Sequence, residues 1–223
     1  GGSTSGTGST TRPQATGPSA LPAGYVASKK SDSALSAGFI IDGKAWFFRG
    51  TKCFRFDAAT SKLDAGFPQD TASAWPGVFD GRIDAAVRAG DNIYFFNGNS
   101  YAKWDVPTNR LINIKRIQHN WTFLFEETGV DAGMSYGGKL WFFEGNGIAS
   151  WDLASDKIDE HFPAATSNVF PGLPDAFKSV DAAFVWPDGN VYFVRGSQAV
   201  SYDAGTKKKN GGPFALGSKW KGL

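Results

Sequence analysis

An aromatic strand closed by glycine recurs four times along this chain, as Trp46-Phe47-Phe48-Arg49-Gly50, Tyr94-Phe95-Phe96-Asn97-Gly98, Trp141-Phe142-Phe143-Glu144-Gly145 and Tyr192-Phe193-Val194-Arg195-Gly196. Seven positions beyond each glycine stands an aspartate, Asp57, Asp105, Asp152 or Asp203. Each aspartate follows an aromatic: Phe56, Trp104, Trp151 or Tyr202. The period is roughly 50 residues, the range of propellers and solenoids. No unit of this length buries its own core, so function belongs to a shared axis or surface. A longer period overlies the short one: Trp46, Asp57, Phe67-Pro68 and Pro76-Gly77 recur 95 positions later as Trp141, Asp152, Phe162-Pro163 and Pro171-Gly172. The array is therefore pseudo-twofold as well as fourfold, and its fourth repeat is complete.

Each repeat reads as a meander. A first strand of small residues (Ala37-Gly38-Phe39, Asp84 to Val87, Asp131 to Met134, Asp181 to Phe184) leads into a turn rich in Gly, Asn and Asp. Those residues reach the positive φ of tight hairpins. The aromatic strand follows, then the glycine turn, then a strand ending at the aspartate. The second strands are apolar on both faces, whereas a one-sided antiparallel sheet alternates. Radially stacked sheets, each sandwiched between two neighbours, account for this, and small first-strand residues suit the crowded axis. The fold class is therefore all-β, a four-bladed β-propeller. A linear solenoid would want atypical capping repeats, and both end repeats keep the motif.

The run Asp181-Ala182-Ala183-Phe184 with Gly189-Asn190-Val191-Tyr192-Phe193-Val194-Arg195-Gly196 resembles the hemopexin-type repeat. So does Ile83 to Val87 with Asn92 to Gly98, and Phe170-Pro171-Gly172-Leu173-Pro174 is similar to its inter-blade segment, with Trp75-Pro76-Gly77-Val78 a looser copy. The resemblance covers residues 34–223, with blades at about 34–80, 81–127, 128–176 and 177–223. It implies a haem carrier, a metalloproteinase C-terminal domain, or a plant albumin or bacterial relative. Vertebrate members tie blade 1 to blade 4 by a disulfide. Lone Cys53 cannot make one, which sets the chain nearer the cysteine-poor plant and bacterial members. In the family, the first-strand position held by Ser36, Asp84, Asp131 and Asp181 supplies main-chain carbonyls to a calcium or sodium ion in the axial channel. The resemblance carries that role here, with Ser36 the departure in blade 1.

Composition narrows the rest. The near balance of charge, a formal +2, argues against nucleic acid, and Lys207-Lys208-Lys209, Lys219 and Lys221 read as solvated surface. No stretch approaches the about 18 apolar residues of a transmembrane helix. The first residues show no signal peptide; the linker and the family favour an extracellular or secreted protein. Residues 1–33, mostly Gly, Ser, Thr, Ala and Pro, read as a disordered linker or tail, such as joins a C-terminal module to a larger protein. Cys53 aligns with Tyr101, Ile148 and Ala199, so it reads as a packed thiol.

Candidate chemistry is sparse. His119 and His161 are the only histidines and hence the candidate haem ligands, in unrelated repeat positions. Glu126-Glu127 beside Asp131 reads as solvated loop carboxylates, and no zinc, phosphate or serine-hydrolase motif occurs. The recurring aromatics read as core, while Trp75, Trp121, Trp186 and Trp220 are less regular and are candidates for exposed, sugar-stacking rings. Asn120-Trp121-Thr122 is a glycosylation sequon by pattern. The expected function is a non-catalytic module recognising a protein or glycan partner, with a channel cation. The alternative is a stand-alone binder of a polyamine or haem, and an enzyme is the third reading.

Overall fold

The absence of alternation in the aromatic strands has a direct structural cause. The structure, a computed structural model, describes residues 21–27, 30–122, 124–125 and 129–223. In blade 1 the inner strand Leu35–Ile41 pairs with Lys44–Arg49, which pairs with Lys52–Asp57, all antiparallel. Blade 2 repeats this with Ala85–Ala89, Asn92–Asn97 and Ser100–Asp105. Blade 3 uses Ala132–Tyr136, Lys139–Glu144 and Gly147–Asp152, and blade 4 uses Ala182–Val185, Val191–Arg195 and Gln198–Asp203. Successive side chains of a strand point to opposite faces. Phe47 accordingly enters the core between blades 4 and 1, and Phe48 the core between blades 1 and 2. Phe95 and Phe96, Phe142 and Phe143, and Phe193 and Val194 divide in the same way between successive cores. Both faces are interior, so the fold is the expected four-bladed propeller.

The pseudo-twofold likeness of the repeats is visible in the outer strands. Blades 2 and 4 have continuous ones, Arg110–Arg116 and Lys208–Ala215. Blades 1 and 3 break theirs into Lys62–Leu63 with Gln69–Asp70 and Lys157–Ile158 with Ala164–Ala165. Pro68 and Pro163 lie in the two breaks, where a residue without an N–H cannot donate to the ladder.

Inner strands of neighbouring blades pack together right round the ring, blade 4 against blade 1 included. Their spacing demands small residues: a Cβ on Gly133 would stand 2.7 Å from Cγ1 of Val87 in the adjoining blade. Blade 4 meets blade 1 through a shared apolar core and without a disulfide, and Cys53 is a buried free thiol whose pKa burial raises to about 11. It aligns with other buried side chains and is inert packing.

The tryptophans correct the sequence reading. Trp75, Trp121, Trp186 and Trp220 are all buried. Trp75, Trp121 and Trp220 each follow one short helical turn after the outer strand, where the tryptophan's backbone N–H donates to the carbonyl of Thr71, Ile117 or Leu216. Phe170 holds the same place in blade 3, bonded to Thr166. Each of these rings drops into the core between its own blade and the next. Trp186 joins the core between blades 4 and 1 from just beyond the inner strand Ala182–Val185.

The recurring aspartates are turn anchors. Asp57 accepts from Thr60 N–H (2.9 Å), Asp105 from Thr108 (2.9 Å), Asp152 from Ser155 (2.7 Å) and Asp203 from Thr206 (3.0 Å). These bonds hold all four carboxyls below the ordinary 3.8. A lowered folded-state pKa means stability that is present above the unfolded value and lost as pH falls through the folded one. Urea midpoints should therefore be level on this account from neutral pH to about 4 and decline below it. The combined replacement of these four by Asn should flatten that decline; an unchanged acid limb would show that the anchors carry no linkage.

The N-terminal segment also differs from expectation. The reading of a free linker as far as Ser33 fails for its second half, because residues 21–27 and 30–33 pack on blades 1 and 2. Tyr25 stacks on Phe79 at 5.9 Å and donates its hydroxyl proton to Asn97 Oδ1 at 2.6 Å. Asn99 accepts from Val26 N–H at 3.0 Å and donates to the Gly24 carbonyl at 3.0 Å. Asp32 pairs with Arg82. The part of that reading concerning residues 1–20 lies outside the described residues.

Candidate functional site

The inner strands begin at the axis, and their first residues build the site. Asp84, Asp131 and Asp181 each point a carboxylate away to the turn between the second and third strands, accepting the N–H of Gly98 (2.7 Å), Gly145 (2.8 Å) and Gly196 (2.7 Å). Those glycines have φ of 52°, 53° and 58°, left-handed values that need glycine. The side chain thus locks the strand start to its own hairpin, and the main-chain carbonyl is left to face the channel. Ser36 lacks the reach. Its hydroxyl donates to the Phe48 carbonyl at 3.2 Å, the pairing register shifts between Leu35 and Ala37, and Gly50 lies against Asp32 instead.

The four carbonyls that sequence reading singled out, those of Ser36, Asp84, Asp131 and Asp181, converge on one point, and that point is the Lys30 ammonium. Lys30 Nζ donates to the Ser36 carbonyl at 3.4 Å and to Asp84 at 3.1 Å, and approaches those of Asp131 and Asp181 more closely. Burial pushes the ammonium down to about 8, while the carboxylates of Asp84, Asp181 and Asp131 pull it up and Arg195 opposes them. It is a cation at neutral pH. The donor set is hard and neutral, which fits a calcium or sodium ion as well as an ammonium. A metal ion and Lys30 would need the same point.

Sequence reasoning missed Lys30 and its anchors. The signal was there in part: Leu21, Tyr25, Val26, Lys29 and Lys30 stand in a segment mostly of small residues. Asn97 and Asn99 are buried polar groups on blade 2, where the pattern alone read as a turn.

At the opposite end of the axis the inner strands open into a funnel of about 360 Å³ lined by Phe39, Ile40, Arg88, Met134, Ser135 and Phe184. Ser135 knits two blades there, its hydroxyl donating to the Arg88 carbonyl at 2.6 Å and accepting Arg88 N–H at 2.9 Å. His119 and His161 are exposed, one after the outer strand of blade 2 and the other beside that of blade 3. Glu126 and Glu127 lie outside the described residues. Among the described residues no His, Cys, Asp and Glu side chains group as three potential metal ligands, and no helix is long and apolar enough to cross a membrane.

This geometry defines a four-bladed propeller with an axial carbonyl ring. The Hemopexin family model matches residues 36–78 and 180–223, the first and last blades. Interstitial collagenase of Bos taurus is 36% identical over 72 residues, which are 32% of this chain and 15% of that protein. The hemopexin fold protein CP4 from cow pea superposes with a TM-score of 0.72 at 19% identity, covering 83% of this chain and 95% of that one. A plant lectin with two metal binding sites from Cicer arietinum gives 0.71 at 22% identity, covering 84% and 95%. The chain has the hemopexin fold, and by sequence its first and last blades are similar to the Hemopexin family.

Proposed function

We propose that the chain is a non-catalytic recognition module, the C-terminal domain of a larger protein, that holds a macromolecular partner at the funnel end of its axis. The observation that carries this reading is the funnel itself, a concave site framed by four mutually packed inner strands and mixing apolar walls with the Arg88 guanidinium. A protein partner is favoured over a glycan, because Trp75, Trp121, Trp186 and Trp220 are spent on the cores between blades and offer no face for sugar stacking. The lectin among the structural neighbours keeps the glycan arm worth measuring. The ring of Ser36, Asp84, Asp131 and Asp181 carbonyls is read as a cation site, suited by its donor chemistry to calcium or sodium when the Lys30 ammonium is out of it.

A second reading, a small-ligand binder, draws on one observation: the ring already accepts a primary ammonium, which is the head group of a polyamine. Haem would have only the exposed His119 and His161, without an enclosing pocket.

The test is binding of the full chain to protein and glycan arrays, with Arg88→Glu as the probe. Charge reversal at the funnel should weaken capture at least about tenfold, equivalent to about 1.4 kcal/mol. The melting temperature should stay within about 2 °C, since the substitution breaks no core contact. Undiminished capture by the variant would place the partner away from the funnel.

A further inference from the structure

We propose that Lys30 is a plug carried by the chain itself, its ammonium filling the axial carbonyl ring as the resident cation and closing the channel to metal ions and free amines. The inference rests on reading the ring as a cation site and goes beyond it by naming the occupant and the means of exclusion.

The geometry of the plug is complete. A lysine ammonium carries three donors and no acceptor, and here it faces four converging acceptors, one from each blade. Cations favour such a ring because converging carbonyl dipoles, removed from water, leave an unmet negative potential. The carboxylates of Asp84, Asp131 and Asp181, although bonded to glycine amides, sit close enough to act on the ammonium as counter-charge. Calcium would bind these oxygens at about 2.3–2.6 Å, within the space that Nζ takes up. Ion and ammonium therefore exclude one another.

The plug is tethered on both sides. Upstream, Tyr25 is held by Phe79 and Asn97, and the backbone from Gly24 to Val26 is held by Asn99. Downstream, Asp32 is paired with Arg82. Nearly all these anchors belong to blade 2, so a single blade face holds the lysine over a channel shared by four. Tethering makes the ammonium intramolecular, with a high effective concentration against which any free cation must compete. Lifting the segment off blade 2 is the step that would open the ring.

The experiment uses the full chain and its Lys30→Met variant, which keeps the apolar stem and removes the charge. Equilibrium dialysis with calcium, and melting with and without it, should show no binding by the wild type. The variant should take up on the order of one ion per chain and melt several degrees higher when calcium is present. In parallel, the wild type is treated with an amine-acylating reagent and digested for mass spectrometry. Lys30 should be modified at least about tenfold more slowly than the exposed Lys62 and Lys157, since a group open only part of the time reacts in that proportion. Calcium uptake by the wild type to the same extent as by the variant, or acylation of Lys30 at the rate of Lys157, would overturn the plug. Protection of Lys30 together with no calcium uptake by Lys30→Met would uphold the plug and count instead against the metal reading of the ring.

Discussion

Trp220→Ala should lower the unfolding free energy by about 3–5 kcal/mol, the range for truncating a large buried aromatic. Trp220 is fully buried at the joint between blades 4 and 1, with ring centroids 5.7 Å from Phe47, 5.3 Å from Phe184, 5.4 Å from Trp186 and 5.2 Å from Tyr192. No covalent link backs up that joint, since Cys53 is the sole cysteine. At about 2–4 °C per kcal/mol for a domain of this size, the melting point should fall by roughly 6–20 °C. Trp75→Ala is the informative control. Trp75 plays the same part between blades 1 and 2, which the chain itself connects. The Trp220 variant should also become sensitive to limited proteolysis in blades 1 and 4, because opening that joint converts a closed ring to an open array with two unpaired ends. A melting point within 2 °C of the wild type, or proteolysis spread evenly over the blades, would show that ring closure does not depend on this ring.

What the sequence disclosed and what it concealed follow from periodicity. A contact made four times leaves four copies of its residues. The glycine turns, the aspartate anchors and the paired aromatics were therefore all legible, as was the position of the inner-strand carbonyls once the family was recognised. The tryptophans were misread because their place in blade 3 is taken by Phe170, which breaks a pattern sought by residue type. Sought by position, one large aromatic after each outer strand, the series Trp75, Trp121, Phe170 and Trp220 is regular. The N-terminal segment was misread for the opposite reason. Tyr25 and Lys30 each act once, the one against Phe79 and Asn97 and the other on an axis that the blades reach four times, and composition averaged over a Gly- and Ser-rich stretch dilutes both. Low apolar content predicts that a segment cannot build a core of its own. It does not predict whether a few residues will dock on a core built by others.

Removing that segment gives the other large effect. A chain beginning at Leu21 keeps the contacts of Tyr25, Val26, Lys30 and Asp32 with the propeller and should melt with the full chain. A chain beginning at Ala34 loses the Tyr25 stack on Phe79, the hydroxyl bond to Asn97, the backbone bonds to Asn99, and the ammonium in the ring. Water can replace the partners of Asn97 and Asn99 once they are uncovered, so each lost bond costs only about 0.5–1.5 kcal/mol. The Asp32–Arg82 pair is half exposed on both sides and adds little. The ring is different in kind. Its four carbonyls keep converging after the lysine has gone, held by inner strands that cannot spread without breaking the cores on either side. The total should be about 2–4 kcal/mol, a fall of roughly 4–16 °C in melting temperature when chelator is present. Calcium should restore part of that loss to the chain beginning at Ala34 and none to the chain beginning at Leu21, because only the former has a ring open to it. Equal melting of the two truncated chains in chelator would show that residues 21–33 contribute nothing to the folded state, and the anchors on blade 2 would then have no energetic meaning.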